Sequence, residues 1–254
     1  MYTLASINPF YAARLKRRPA EPRPQPKQHP VYAKLPLAPV NASPVPHLTS
    51  LYHFAAAGDY GDRAFPGNCG GNLIKDLLQF FRPDGVVLDP MSGSGTCPEV
   101  CRELRIPCMA WDIHRGIDAC DPQGFGADTF AFIWAHPPYF RQKLYADDAR
   151  DLSRAPTLDD FLRRYGQFIR NCAVALKQRG KLAILIGDYQ DHEAGFVPLV
   201  YHTKRLAFAA GLRQSTTDII RFSHGASSSK KVYRSSFIPG LHDVCTIFEK
   251  PRLE

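Results

Sequence analysis

Apolar residues recur at helical spacing in NLIKDLLQFF (72–81), where Leu73, Ile74, Leu77, Leu78 and Phe81 share one face. RPDG breaks that pattern. VVLD (86–89) then reads as a short, wholly apolar strand, the kind found in a sheet covered on both faces. PMSGSGT is a glycine-rich turn and CPEVCRELR opens a second helix. CMAWDI (108–113) is the next strand and ends in an acid, and TFAFIWA (129–135) is another. LDDFLRRYGQFIRNCAVALK (158–177) predicts a long amphipathic helix, followed by a buried strand in KLAILIGD (181–188). VPLVYHTKRLAFAAGL (197–212) reads as a helix ended by Gly211, with STTDIIRFS (215–223) and HDVCTIFEK (242–250) as a closing pair of strands. Strands alternating with helices in this way predict an α/β domain with a mostly parallel sheet.

The first 50 residues follow a different pattern. They hold ten of the 22 prolines and seven Lys/Arg against one acid, Glu21. Such a segment is extended and poor at forming a core, so residues 1–50 are expected to be a basic arm and 51–254 the folded domain. The net charge of +8 therefore sits mostly on the arm, which suits contact with a polyanion. No apolar run approaches the roughly 20 residues needed to span a membrane. The first residues lack the apolar stretch of a secretory signal. The seven scattered cysteines form no CxxC pair, which suits a reducing compartment, and the cytoplasm is the expectation. Cys97 and Cys101 can share a helix face; ordinary core packing is the favoured reading over a metal half-site, and no metal is expected.

LDPMSGSGT (88–96) follows a strand and opens a helix, where glycines let a backbone approach a ligand closely. It lacks the lysine of a triphosphate-binding loop, and Pro98 stands where a nicotinamide-dinucleotide motif carries glycine. Asp112 ends the following strand, where a carboxylate can take both hydroxyls of a ribose. The unit suits an adenosine-containing cofactor. In FAFIWAHPPYF (130–140) a buried strand runs into two prolines, which fix φ and supply no N–H, leaving a stiff corner between His136 and Tyr139.

LDPMSGSGT resembles the DPxxGSGT cofactor motif of the amino-group (N6-adenine/N4-cytosine) DNA methyltransferases, and HPPY resembles their [D/N/S]PPY catalytic motif. FPGNCGGNLIKDLLQFF (65–81) resembles the segment that packs over the methionine end of S-adenosyl-L-methionine in that family. The resemblance covers residues 65–190. It implies a Rossmann-like, seven-stranded, mostly parallel sheet and S-adenosyl-L-methionine as cofactor. It further implies a cofactor site of Asp89, Pro90, Ser92, Gly93, Ser94, Gly95, Thr96 and Asp112, with Asp118 near the adenine and Asn68 near the carboxylate end. The catalytic set it implies is His136, Pro137, Pro138 and Tyr139. There the first residue accepts one N–H of the target amino group, the Pro137 carbonyl accepts the other, and Tyr139 stacks on a base that has left its helix.

His136 departs from the motif. A neutral imidazole keeps one acceptor nitrogen, whereas an imidazolium only donates. With an ordinary pKa of about 6.5, acceptance by His136 would be lost below about pH 6. Asp188, at the end of the next strand, is expected to cap a loop rather than face substrate. DNA is the expected partner, contacted by the arm and by HGASSSKKVYRSSF (224–237), where Lys230, Lys231 and Arg234 can meet phosphates. Dimers are common among similar enzymes, so a homodimer is a further expectation of the resemblance. The alternatives are an RNA or protein-amide methyltransferase, and a non-catalytic nucleic-acid-binding module on the same fold.

Overall fold

Four segments of continuous apolar character form the middle of one sheet in the computed structural model. Its described residues are 39–53, 59–222, 238 and 240–252. The sheet contains β1 (Leu51–His53), β2 (Val86–Asp89), β3 (Cys108–Ala110), β4 (Phe130–Ala135), β5 (Leu176–Ile186), β9 (Ile219–Phe222) and β10 (His242–Glu249). Their order across the sheet is β1-β9-β10-β5-β4-β2-β3, and a two-residue β8 (Arg213–Gln214) also pairs with β10. β3, β2, β4 and β5 run parallel, as do β1 and β9, while β10 is antiparallel to both its main neighbours. This is the expected Rossmann-like, seven-stranded, mostly parallel sheet, with β8 as an addition. A separate hairpin joins β6 (Tyr189–Asp191) to β7 (Gly195–Val197).

Strand periodicity divides the apolar residues between two layers, because successive side chains point to opposite faces. Val87, Phe132, Trp134, Ala183 and Leu185 face α1 (Asn72–Phe81) and α2 (Thr96–Glu103). Leu88, Ile133, Leu182 and Ile184 face α3 (Leu158–Ala175) and α4 (Leu199–Ala209). Both faces are thus covered, as the unbroken apolar runs require. α3 starts at Thr157, whose side chain accepts from Asp160 N at 3.1 Å, and Asp159 and Asp160 lie against the positive end of the helix dipole. α3 passes into β5 with no connecting loop. The polar residues before Lys181, which read as a loop, extend the strand instead across a register shift opposite Phe130 and Phe132.

The chain leaves β2 for β3 on one side and returns to β4 on the other. The crevice outside the carboxyl ends of β2 and β4 is therefore the switch point at which open α/β sheets hold ligands. Before β1, Val45 is buried and His47 Nε2 lies 2.9 Å from Asp76 Oδ2, which also accepts from the buried Tyr52 hydroxyl at 2.7 Å. Most of the predicted arm and the whole 224–237 segment lie outside the described residues. No helix among the described residues is long and apolar enough to cross a membrane.

Candidate active site

The turn after β2 is shaped by two glycines in the left-handed region, Gly93 at φ 43° and Gly95 at φ 80°, the latter at the start of α2. A Cβ on Gly93 would stand 2.9 Å from the Phe65 ring, so close packing adds to the conformational demand. The turn is fastened to the end of β3. Gly93 N donates to Asp112 Oδ2 at 2.7 Å, His114 N donates to Asp112 Oδ1 at 2.9 Å, and Ser92 N donates to Trp111 O at 2.9 Å. Each oxygen of this buried carboxylate keeps a further lone pair for a hydroxyl donor.

The preceding segment wraps the same helix start. Thr96 Oγ1 donates to Asn68 Oδ1 at 2.9 Å and shares a 2.8 Å hydrogen bond with Ser94 Oγ. Asn68 Nδ2 donates to Tyr60 O and Asp62 O, and Gly70 N donates to Asn68 Oδ1. Asn68 therefore splices two loops together and does not line the cleft. Gly95 is likewise outside its lining.

A half-open cleft lies beside this turn, with about 830 Å³ of space when the solvent at its mouth is counted. Of the residues expected in a site, Asp89, Pro90, Ser92, Gly93, Ser94, Thr96, Asp112, Asp118, His136 and Pro138 line it. Burial pushes the Asp89 carboxyl well above its ordinary value, and the 3.2 Å hydrogen bond from Met91 N only partly offsets this. Asp118 accepts from Cys120 N at 2.8 Å and pairs with Arg164 at 3.1 Å. The sequence reading did not single out the apolar lining, Ile113, Ile117 and Leu152, or the stacked pair Phe65 and Tyr145, with centroids 5.9 Å apart. The signal for Phe65 was its place before the glycines of 67–71; Tyr145 carried none.

The Pro-Pro corner adjoins this cleft through His136 and Pro138. His136 Nε2 lies 3.2 Å from the Tyr139 hydroxyl. That hydroxyl also hydrogen-bonds Asp243, and burial followed by the Asp243 charge raises the Tyr139 pKa well above its ordinary value. Asp243 is paired with Arg221 at 2.7 Å, and Arg221 also donates to Cys69 O at 2.9 Å; both side chains are buried. Gly187 makes room for this arrangement: a Cβ there would stand 2.7 Å from Asp243 Oδ1 and 3.1 Å from the Tyr139 ring. Pro137 is buried, does not line the cleft, and its carbonyl accepts no backbone hydrogen bond among the described residues. Phe140 then adopts φ 52°, a costly conformation for an aromatic residue, and is held by burial and an edge contact with Phe161 at 5.5 Å. Arg141 forks onto Asp191 at 2.9 and 2.8 Å and keeps that carboxylate well below its usual range. Asp188 accepts from Val200 N at 3.0 Å near the start of α4, and it does not line the cleft.

No known protein family and no curated protein matches the chain. Among solved structures, TTHA0409 of Thermus thermophilus, provisionally named a DNA modification methylase, is 18% identical over 53% of this chain, with a TM-score of 0.39. The chain spans about half (51%) of that protein's length. TrmN from Thermus thermophilus is 19% identical over 70% of this chain and 48% of its own, with a TM-score of 0.41. A 1,6-didemethyltoxoflavin-N1-methyltransferase from Burkholderia thailandensis, with S-adenosylhomocysteine bound, is 16% identical over 71% and 78%, with a TM-score of 0.44. Likeness this distant says nothing of activity.

Proposed function

We propose that the chain is an S-adenosyl-L-methionine-dependent methyltransferase acting on the exocyclic amino nitrogen of adenine or cytosine, with DNA as the substrate. The observation that carries this reading is the single cleft shared by the glycine turn, Asp112 and His136. The residues present fit the cofactor. Asp112 retains acceptor capacity for ribose hydroxyls, and the Gly93 turn leaves backbone rather than side chain at the cleft wall. Asp89 is a buried carboxyl beside the space where a cationic ligand would restore its charge. Bound S-adenosyl-L-methionine supplies an electrophilic methyl group on a sulfonium.

The rest falls to the protein. Next to the Asp243 carboxylate, the Tyr139 hydroxyl, with its raised pKa, keeps its proton and holds the His136 ring through the 3.2 Å contact at Nε2. A neutral imidazole has one acceptor nitrogen, and its proposed role is to draw on an amino N–H of the base and localise the nitrogen lone pair that ring conjugation withdraws. The Pro137 carbonyl, buried just outside the cleft lining, is the proposed second acceptor once the base has entered, and the prolines stiffen the corner that carries both. The arm and residues 224–237 are the proposed DNA contacts, and a homodimer and a role beside a restriction nuclease belong to the same proposal.

The test is transfer of labelled methyl groups to unmethylated genomic DNA and, separately, to RNA, with digestion to nucleosides and mass spectrometry. N6-methyladenine or N4-methylcytosine in DNA supports the reading. Label confined to RNA, or to protein, replaces the substrate class. Cofactor binding without transfer to any of them leaves a binding module.

A further inference from the structure

Three sulfur atoms converge behind the glycine turn. Cys97 and Cys101 sit one turn apart on the buried face of α2, and Cys108 opens β3. Their Sγ atoms all lie within 4.8 Å of one another, and they share S–H hydrogen bonds. Among the described residues this is the one group of three or more Cys, His, Asp or Glu side chains whose ligand atoms gather so closely. The other four cysteines, at 69, 120, 172 and 245, are free thiols outside this group.

Core packing alone asks only for small apolar volume, which alanine or valine also supplies. It does not ask three thiols to aim at one point. A metal–sulfur bond of about 2.3 Å places an ion at the centre of a triangle with edges of about 4 Å, so the sulfurs need close by less than about 1 Å. Small χ1 adjustments of three short side chains provide that. Among the described residues no carboxylate or imidazole lies within 4.8 Å of all three sulfurs to complete the four-coordinate set that structural zinc prefers; the buried Asp89 carboxyl acts on them only through its charge. Soft thiolates without a fourth ligand select a soft ion instead. Cys108 is half-buried, which leaves one corner of the triangle open to an incoming ion.

We propose that Cys97, Cys101 and Cys108 form a three-thiolate site for a soft, thiophilic cation, with the cuprous ion as its best match. Occupancy would tie α2, which begins at the glycine turn, to β3, which leads to Asp112. Two elements of the cleft would then be joined through a bond that neither the strand ladder nor the helix supplies. The site stands on its own geometry, whatever group the cleft methylates.

The experiment titrates the reduced full-length chain with cuprous ion under anaerobic conditions, against a competing chelator. One ion per chain, sulfur-only coordination by X-ray absorption and a raised thermal midpoint are expected. Cys101→Ser and Cys108→Ser should each weaken binding about tenfold or more, whereas Cys172→Ser should leave it unchanged. Thermal melts establish that each variant is folded; the half-buried Cys108 serves alone if Cys101→Ser does not fold. Absence of stoichiometric binding, or equal binding in wild type and Cys108→Ser, overturns the site. Zinc held as tightly as copper in a four-ligand shell overturns its three-coordinate character.

Discussion

The two halves of the cleft are held in place by different means. The half proposed to hold the cofactor is local: Gly93, Asp112 and His114 are bound to one another within about 20 residues of chain, through backbone N–H groups. The half proposed as catalytic is remote. His136 and Tyr139 lean on Asp243 and Arg221, roughly 100 residues downstream, and on the absent side chain of Gly187. A local device survives damage elsewhere in the sheet, whereas a remote one reports on the packing of β9 and β10. The two halves should therefore separate under mutation.

The largest effect is expected at the buried pair. Asp243→Ala leaves the Arg221 charge uncompensated and should cost about 3–5 kcal/mol in a denaturant melt. The double change Asp243→Leu with Arg221→Met should recover most of that stability without restoring transfer, because Tyr139 still lacks its acceptor. Next, Asp112→Ala should weaken cofactor binding by about two orders of magnitude, since two hydrogen bonds to a charged group are worth about 1.5 kcal/mol each at the low end. Calorimetry of cofactor binding checks this; the melt should also fall, because Gly93 N and His114 N lose their acceptor, but by less than for Asp243→Ala.

Tyr139→Phe keeps the ring and the turn but removes the hydroxyl between His136 and Asp243. It should slow transfer about tenfold while cofactor affinity holds, which would place its role wholly in the catalytic half. Equal losses in both would erase the distinction between the halves. The smallest effect is at Asp89. Its raised carboxyl keeps a proton in the folded chain that the unfolded chain, with an ordinary value of 3.8, releases. The stability contributed by Asp89 is therefore full below that value and lost as pH rises through the folded one. Asp89→Asn removes the dependence, so its thermal midpoint should exceed that of wild type increasingly towards high pH, while cofactor binding weakens. A difference that shrinks with rising pH would contradict the assigned direction.

The same contrast explains what the sequence shows. The sheet and the glycine turn are legible because strand runs, φ-positive glycines and a terminal acid are all local signals. β5 starts at Leu176 rather than after Gly180, because backbone pairing with Phe130 recruits polar residues whose side chains remain in solvent. Asn68 was expected at the cofactor, but its amide is used by Tyr60, Asp62, Gly70 and Thr96; polarity alone does not say where partners come from. Cys97 and Cys101 share a helix face as their spacing suggests, yet the third sulfur enters from β3, a packing fact. Asp243, Arg221 and Gly187 carry no motif, and only the antiparallel insertion of β10 between β5 and β9 brings them to Tyr139.

The central claim is that one cleft holds both a cofactor site and a separately supported amino-group acceptor. His136→Ala tests it most directly, by measuring cofactor affinity and methyl transfer on the same preparation. The account predicts unchanged affinity with transfer reduced by about 10²–10³, the scale of removing one preorganised polar group from a reaction centre. Transfer that persists at the wild-type rate would contradict the assignment of His136 as the acceptor.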